Sequence, residues 1–475
     1  MEDALPATQD LVSVSTFSEI TSPSSTPPPE AMEVVDGTSS ISLLAVVWWK
    51  RGWRQLLLVG TTMLAFMGPG HTVSVGYMDP GNWATDIAAG SQFGYAHLVV
   101  VLISNFIALY IQILALRLGA VADRDLAQQC RLWLYPNRKV WLWFLYILTE
   151  IAIVATDMAE VVGSAIAMNL LFGLPLAAGV AVTAADVFVI LLLFGSKKAK
   201  AASSMIIDVV IVFLVTSIFC CFIYLMHLSP INARELFRGF APSEILFTSA
   251  DAVIVSVGIV GATVMPHNLY LHSALTRDRA KGKSLSQSLK YSTIDISVTL
   301  TIAFIVNCAI IIVSAANFYS AGLLNVQEIQ DAYSLLKTMV GQGFATVFAV
   351  SLLFSGQSST ITGTLAGQIV AEGFMEWKMP PWLRRVITRL LAIIPALVVV
   401  LATGESGLNE LLIISQVILS MQLPFAFIPL VYFTSDPAIM GAHANHRVIK
   451  WAGYAQGAVL VGLNAYLIVD SFLPS

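Results

Sequence analysis

Charge is what this sequence has least of. Only 11% of its 475 residues are Asp, Glu, Lys or Arg, against ~25% in an ordinary soluble domain, while 57% are hydrophobic and the mean hydropathy is +0.79. That balance excludes a soluble globular chain and implies a polytopic membrane protein. Cysteine is scarce as well: Cys220, Cys221 and Cys308 fall inside apolar segments and Cys130 in a basic loop, so no disulfide framework or zinc spacing is suggested. No nucleophile paired with a base and no His-Glu-x-x-His run appears, so neither an enzyme nor a cofactor is expected. Lys and Arg are missing from the first 49 residues, where most of the excess acid behind the net charge of -4 lies. That charge therefore gives no ground for a nucleic-acid partner.

Residues 1–44, with SPSSTPPPE at Ser22 to Glu30, carry Ser, Thr, Pro and acid without any period and read as a disordered tail. No basic stretch precedes an apolar core there, so a signal peptide is not expected. Lys50, Arg51 and Arg54 then interleave with Trp48, Trp49 and Trp53, a mixture suited to a membrane interface.

From residue 45 to 475 a single transmembrane domain is expected. Eleven apolar stretches approach the ~20 residues that cross a bilayer: 56–90 (broken), 97–122, 140–170, 174–194, 205–226, 252–275, 294–315, 338–370, 386–402, 408–433 and 448–472. Most of the 25 basic residues fall in alternate loops, among them Arg124, Arg131, Arg138, Lys139, Arg277, Lys281, Arg384, Arg385 and Arg389. The other loops hold only Arg234 and Arg238. That asymmetry predicts a cytoplasmic amino terminus and an extracytoplasmic carboxyl terminus.

Two spans are interrupted. In the first, VSVGYMDPGNWATDIA at Val73 to Ala88 sets Asp-Pro-Gly-Asn inside an apolar run. Pro80 lacks a donor, Gly81 is a weak helix former, and Asp79 and Asn82 bond nearby backbone, so the helix should open. In the sixth, GATVMPHNLYLHS at Gly261 to Ser273 has Pro266 in the same role, with His267 and His272 at membrane depth. Opened backbone in hydrocarbon is tolerated only where it is buried in protein or lines a watery cavity. Breaks five spans apart run in opposite senses. They predict a LeuT-type inverted repeat of 5+5 helices, the halves at about 56–226 and 252–433, with an eleventh helix outside the repeat at about 448–472 and the site at the midplane.

At these motifs the sequence resembles the Nramp family of divalent metal ion transporters. The marks are DPGN at Asp79 to Asn82 and the Met-Pro-His run at Met265 to His267, joined by TDMAE in the third span and LLIISQVIL in the tenth. The resemblance covers about residues 55–470. His71, in GPGH, is unusual for its position.

A carboxylate from Asp79, an amide oxygen from Asn82, a thioether from Met265 and carbonyls freed by the breaks make a mixed hard and soft site. Ca²⁺ and Mg²⁺ prefer all-oxygen shells, so sulfur favours Mn²⁺, Fe²⁺, Co²⁺ and Cd²⁺. The resemblance implies Asp79, Asn82 and Met265 with the carbonyl of Ala262 as ligands, joined in some conformations by Gln416. Core packing is the bland alternative for Met265.

Glu150, Asp157 and Glu160 lie within roughly 80° on one face of the third span. They read as a proton path towards the cytoplasm or as a structural ion-pair network with Arg384 and Arg385. The resemblance favours the path. His267 is a ligand, a proton carrier or a satisfied core histidine; His272 is turned away from it and is expected to line the cytoplasmic exit. The small and hydroxyl residues at Ser355 to Gly367 read as close packing, His443 and His446 as a solvated loop, and Asp208 as a buried acid without a nameable partner.

The expected function is proton-coupled import of divalent transition metal by alternating access, in a multi-pass protein of the plasma membrane working as a monomer. Its partners are the metal ion, protons and the lipid bilayer. A proton-coupled carrier of amino acids or other organic solutes on the same architecture is one alternative, weakened by an acid at the first break. A metal-sensing receptor is another, which a large soluble output domain would mark.

Overall fold

Proline sets the boundaries that matter. In the computed structural model, which describes residues 68–183, 199–324, 326, 328–403 and 406–472, the first span is a short helix, Pro69–Ser74, a 3-10 turn, Val75–Met78, and a second helix, Pro80–Phe93. The sixth is Ala250–Thr263 followed by Pro266–Ala280. Each second half begins with proline at its first turn, where the missing N–H costs nothing. Each preceding residue is extended, as a residue before proline must be: Asp79 at φ -69°, ψ 167° and Met265 at φ -68°, ψ 120°.

The remaining spans are unbroken over the described residues. The second is Leu98–Ala122, the third Lys139–Phe172, the fifth Ala199–Leu228, the seventh Leu285–Asn317, the eighth Gln342–Met375, the ninth Pro381–Thr403, the tenth Ser406–Thr434 and the eleventh Arg447–Phe472; the fourth is described over Leu176–Val182. Among the described residues only helices, turns and irregular segments occur, and eight helices are long and apolar enough to cross a membrane. The expected first and fourth spans include residues outside those described. The eleventh has 26 residues and carries Gln456 and Asn464 along its length. The chain is therefore an all-α polytopic membrane protein with its first and sixth helices broken.

The tail at 1–44, the Trp and basic cluster at 48–54, the start of the first span and the later part of the fourth lie outside the described residues. So do Lys197, Lys198 and the side chain of Asp208.

Several expected boundaries move. Thr338 belongs to a separate amphipathic helix, Ile329–Met339, and Gly341 at φ 126° parts it from the eighth span. Arg124 to Lys139 is not a plain loop: Leu126–Leu134 is a helix closed at its start by a capping box between Asp125 and Gln128. Arg277 reaches across to Asp125 Oδ2 at 2.6 Å and Gln128 Oε1 at 2.7 Å. The seventh span starts at Leu285 and the ninth at Pro381, so Lys290, Arg384, Arg385 and Arg389 lie in helices, not in the loops before them.

Hydrocarbon gives helices no solvent-driven reason to associate, so close packing and polar contacts must hold the spans together. Trp83, fully buried just after the first break, packs edge-on against Phe222 of the fifth span at 4.9 Å and Phe348 of the eighth at 5.2 Å. These contacts clamp the second half of the first span while its unwound turn stays clear of lipid.

Candidate metal site

Unwinding the first span frees carbonyls that a helix would have bonded, and each needs a partner at this depth. Side chains from three other spans and from the break itself supply them. Asn268 Nδ2 donates to Val73 O at 3.4 Å, Asn307 Nδ2 to Tyr77 O at 3.0 Å and Ser355 Oγ to Met78 O at 2.5 Å. Gly76 O accepts from Asn82 Nδ2 at 3.4 Å.

Asp79 caps the helix it opens, its Oδ1 accepting from Asn82 N at 2.8 Å. The Asn82 amide nitrogen lies 2.6 Å from that same Oδ1 and 3.2 Å from the carbonyl of Ala262 in the sixth span. Three oxygens from both broken helices thus converge on one electropositive group. Met265 approaches from the second break: a Cβ on Gly76 would lie 3.1 Å from its Sδ. The thioether therefore rests against the unwound turn.

Gln416 of the tenth span lies between the two breaks. A Cβ on Gly81 would run into its side-chain amide, and one on Gly261 into its backbone carbonyl. Glycine is required at both positions by this close approach. Asp79, Asn82, Ala262, Met265 and Gln416 are all at most 1% exposed.

Acceptors outnumber donors here. Asp79 Oδ2, Gln416 Oε1 and Asn307 Oδ1 are buried without a hydrogen-bond partner among the described residues. A buried acceptor left unmade is costly, and Asp79 Oδ2 with the amide oxygens of two residues packed beside the first break, Gln416 and Asn307, could be satisfied by a cation. Among the described residues no group of three His, Cys, Asp or Glu side chains gathers as a metal cluster. This site draws instead on one acid, amides, a carbonyl and sulfur.

The acids of the third span meet the ninth, as their common face predicts. Arg384 Nη2 bonds both oxygens of Glu150 at 2.6 and 2.5 Å. Asp157 Oδ1 takes Arg385 Nη1 at 2.6 Å and Arg389 Nη1 at 2.9 Å. Glu160 accepts from Ser359 and Thr360 at 2.9 Å each, with Arg385 Nη2 at 3.8 Å. These arginines are at most 5% exposed, so they neutralise buried acids and do not mark a loop.

A family model described as "Natural resistance-associated macrophage protein-like" matches residues 70–470. The chain belongs to the Nramp family. Among curated proteins it is 48% identical over 413 residues to the divalent metal cation transporter MntH of Nostoc sp., covering 86% of this chain and 91% of that one. With the MntH of Bradyrhizobium diazoefficiens it shares 44% over 450 residues, 94% and 96% of the two chains. The crystal structure of the Eremococcus coleocola manganese transporter in complex with an aromatic bis-isothiourea substituted compound superposes with a TM-score of 0.78 at 37% identity, over 88% of this chain and 90% of that one. These Nramp relatives are named as transporters, and the chain is not an enzyme.

Other positions of this Nramp chain named from the sequence have defined surroundings. His272 is fully buried, its Nδ1 2.8 Å from Gln112 Oε1, and Gln112 in turn donates to the Tyr77 hydroxyl at 2.8 Å. His267 is 1% exposed, with Nδ1 lacking a partner among the described residues. The hydroxyl run of the eighth span is more than packing, because Ser355 serves the break and Ser359 and Thr360 serve Glu160. His443 offers its carbonyl to Arg117 at 2.6 Å, and His446 Nδ1 stands 3.5 Å from Val448 N, at the start of the last helix. His71 Nδ1 pairs with Asp295 Oδ1 at 2.9 Å. The four cysteines are free.

The roles of Arg389, Ser355, Ser359 and Thr360 were not read from the sequence, and Asn307, Gln112 and Asp86 were not singled out at all. The last is an acid 1% exposed in the second half of the first span, with Oδ2 unpartnered among the described residues. An ionisable residue in a span was signal enough for Asp86. The polar uncharged residues carry no such mark.

Proposed function

We propose that this chain imports divalent transition metal ions, Mn²⁺ and Fe²⁺ with Cd²⁺ and Co²⁺ also accepted, into the cytoplasm as a proton-coupled secondary transporter working by alternating access. The observation that carries the reading is the set of unpartnered buried oxygens where two broken helices meet, Asp79 Oδ2 among them, with the Met265 sulfur against the same unwound turn. An organic carboxylate would meet repulsion there; a divalent cation supplies the charge those oxygens lack. The names of the MntH relatives and of the manganese transporter support the same substrate class.

In this mechanism the cation takes the place of the Asn82 amide hydrogens. Asp79 and the Ala262 carbonyl bind it as hard ligands, and Asn82 turns its amide over to present oxygen, since the two ends of an amide are alike in shape. Met265 adds a soft ligand that Ca²⁺ and Mg²⁺ do not reward, and Gln416 joins as the tenth span closes on both breaks. A proton released at Asp79 passes to Asp157 and Glu160, with Glu150, His267 and His272 on the same route and Arg384 and Arg385 holding the vacated charge. Each charge moved inward through 100 mV contributes about 2.3 kcal/mol. The basic loops support a cytoplasmic amino terminus in a plasma-membrane protein, and one chain holds every proposed ligand, as a functional monomer requires.

The test is uptake into proteoliposomes of Mn²⁺, Cd²⁺, Mg²⁺ and Ca²⁺, with internal pH recorded. Mn²⁺ and Cd²⁺ should enter and acidify the lumen. Equal entry of Ca²⁺, or metal entry with no pH change, overturns the selective or the proton-coupled part of the reading.

A further inference from the structure

Two grooves of similar size flank the eleventh span, and their chemistry differs. One, about 590 Å³, lies towards the second and sixth spans and is lined by apolar side chains with Ser104 and Ser256 and no charge. The other, about 640 Å³, lies between the third, tenth and eleventh spans. Its walls include Trp141, Phe144, Phe425 and Ile428, each about 39–59% exposed and facing outward. Arg138 also lines it, with Trp133 alongside and no acid among the lining residues.

Arg138 and Lys139, at that end, hold no carboxylate among the described residues. Arg138 lies over the Trp133 ring at 5.7 Å, and its neighbour Lys139 over the Tyr135 ring at 5.2 Å. Arg131, one helical turn before Tyr135, spends its charge on Glu376 at 3.0 Å. Tryptophan with unpaired basic residues at a span's start marks the headgroup level, and the apolar trough continuing from it lies at acyl depth.

We propose that this groove binds an anionic glycerophospholipid, its phosphate held by Arg138 and Lys139 and an acyl chain laid between the third, tenth and eleventh spans. Charge complementarity chooses the occupant: a zwitterionic lipid fits the trough equally well but leaves both cations facing a phosphate already balanced by its own headgroup. The second groove offers the same apolar volume without that preference.

The experiment uses the full chain in mixed micelles of equal phosphatidylglycerol and phosphatidylcholine, with retained lipid counted by native mass spectrometry. Phosphatidylglycerol should be retained preferentially, by about fivefold per cation. R138Q with K139Q should bring the two lipids to parity, and Ala465→Trp, filling the groove from the exposed face of the eleventh span, should displace both. Gly462→Trp fills the other groove, where nothing lies within 4 Å of an added Cβ, and should leave the preference intact. A preference unchanged in the double variant overturns the proposal. So does lipid retained despite Ala465→Trp, an equal loss with Gly462→Trp, or displacement by soluble glycerol phosphate as readily as by lipid.

Discussion

Asp79 and Met265 hold the same backbone position in two different helices: each is the extended residue immediately before the proline that starts the second half-helix. One offers a carboxylate and the other a thioether. The two breaks are thus built on one local rule but present side chains of opposite hardness, and the chemistry proposed for the site follows from that pairing.

Replacing Asp79 by Asn keeps the shape of the cap and removes the charge. Metal binding should fall by about 100-fold or more, read by isothermal titration with Mn²⁺, while the thermal transition in detergent moves little. Uptake persisting at the wild-type rate would remove Asp79 from the site.

Met265→Ala should leave part of the Mn²⁺ uptake and lower the Mn²⁺ to Ca²⁺ uptake ratio roughly tenfold. The competition is measured in proteoliposomes with both ions outside. An unaltered ratio would assign the sulfur to packing alone.

Gly81→Ala places a methyl group against the Gln416 amide. Overpacking of this kind costs about 1–3 kcal/mol, and shortening Gln416 to Ala in the same chain should restore most of the lost thermal stability. Uptake should stay low in the double variant, because the amide oxygen is gone. Additive losses of stability in the cycle would mean the two residues do not press on each other.

Arg385→Gln leaves Asp157 with part of its compensation at a fully buried position. Breaking a buried pair costs about 3–5 kcal/mol, and adding Asp157→Asn should recover stability. Asp157→Asn alone should weaken proton flux more than Mn²⁺ binding. If the pH dependence of uptake is unaltered in that variant, the acid belongs to the scaffold and not to the proton path.

Both breaks were legible because proline, glycine and small polar residues inside an apolar run leave few backbone options. The common face of Glu150, Asp157 and Glu160 was legible from helical spacing, and its partners followed from the need to neutralise buried acids. The start of the ninth span was set a few residues late, at 386, because Arg384 and Arg385 lower the local hydropathy although both are buried in the helix Pro381–Thr403. The roles of Asn307 and Ser355 were not legible. A buried amide or hydroxyl has the same local pattern whether it bonds its own helix or a carbonyl more than 200 positions away. Gln416 was reached through the family resemblance, since its spacing alone does not place it between Gly81 and Gly261.

The carbonyls of Val73, Gly76, Tyr77 and Met78 are each claimed by a different donor, three of them from helices far along the chain and one from Asn82 just past the turn. The unwound turn is thereby braced from several directions and is no slack hinge. Affinity for the cargo can consequently be tuned by substitutions that never touch the ion. Selection acting on this transporter has a target several times larger than its coordination shell, and variants in that outer bracing should alter Mn²⁺ affinity while leaving the choice among metals unchanged.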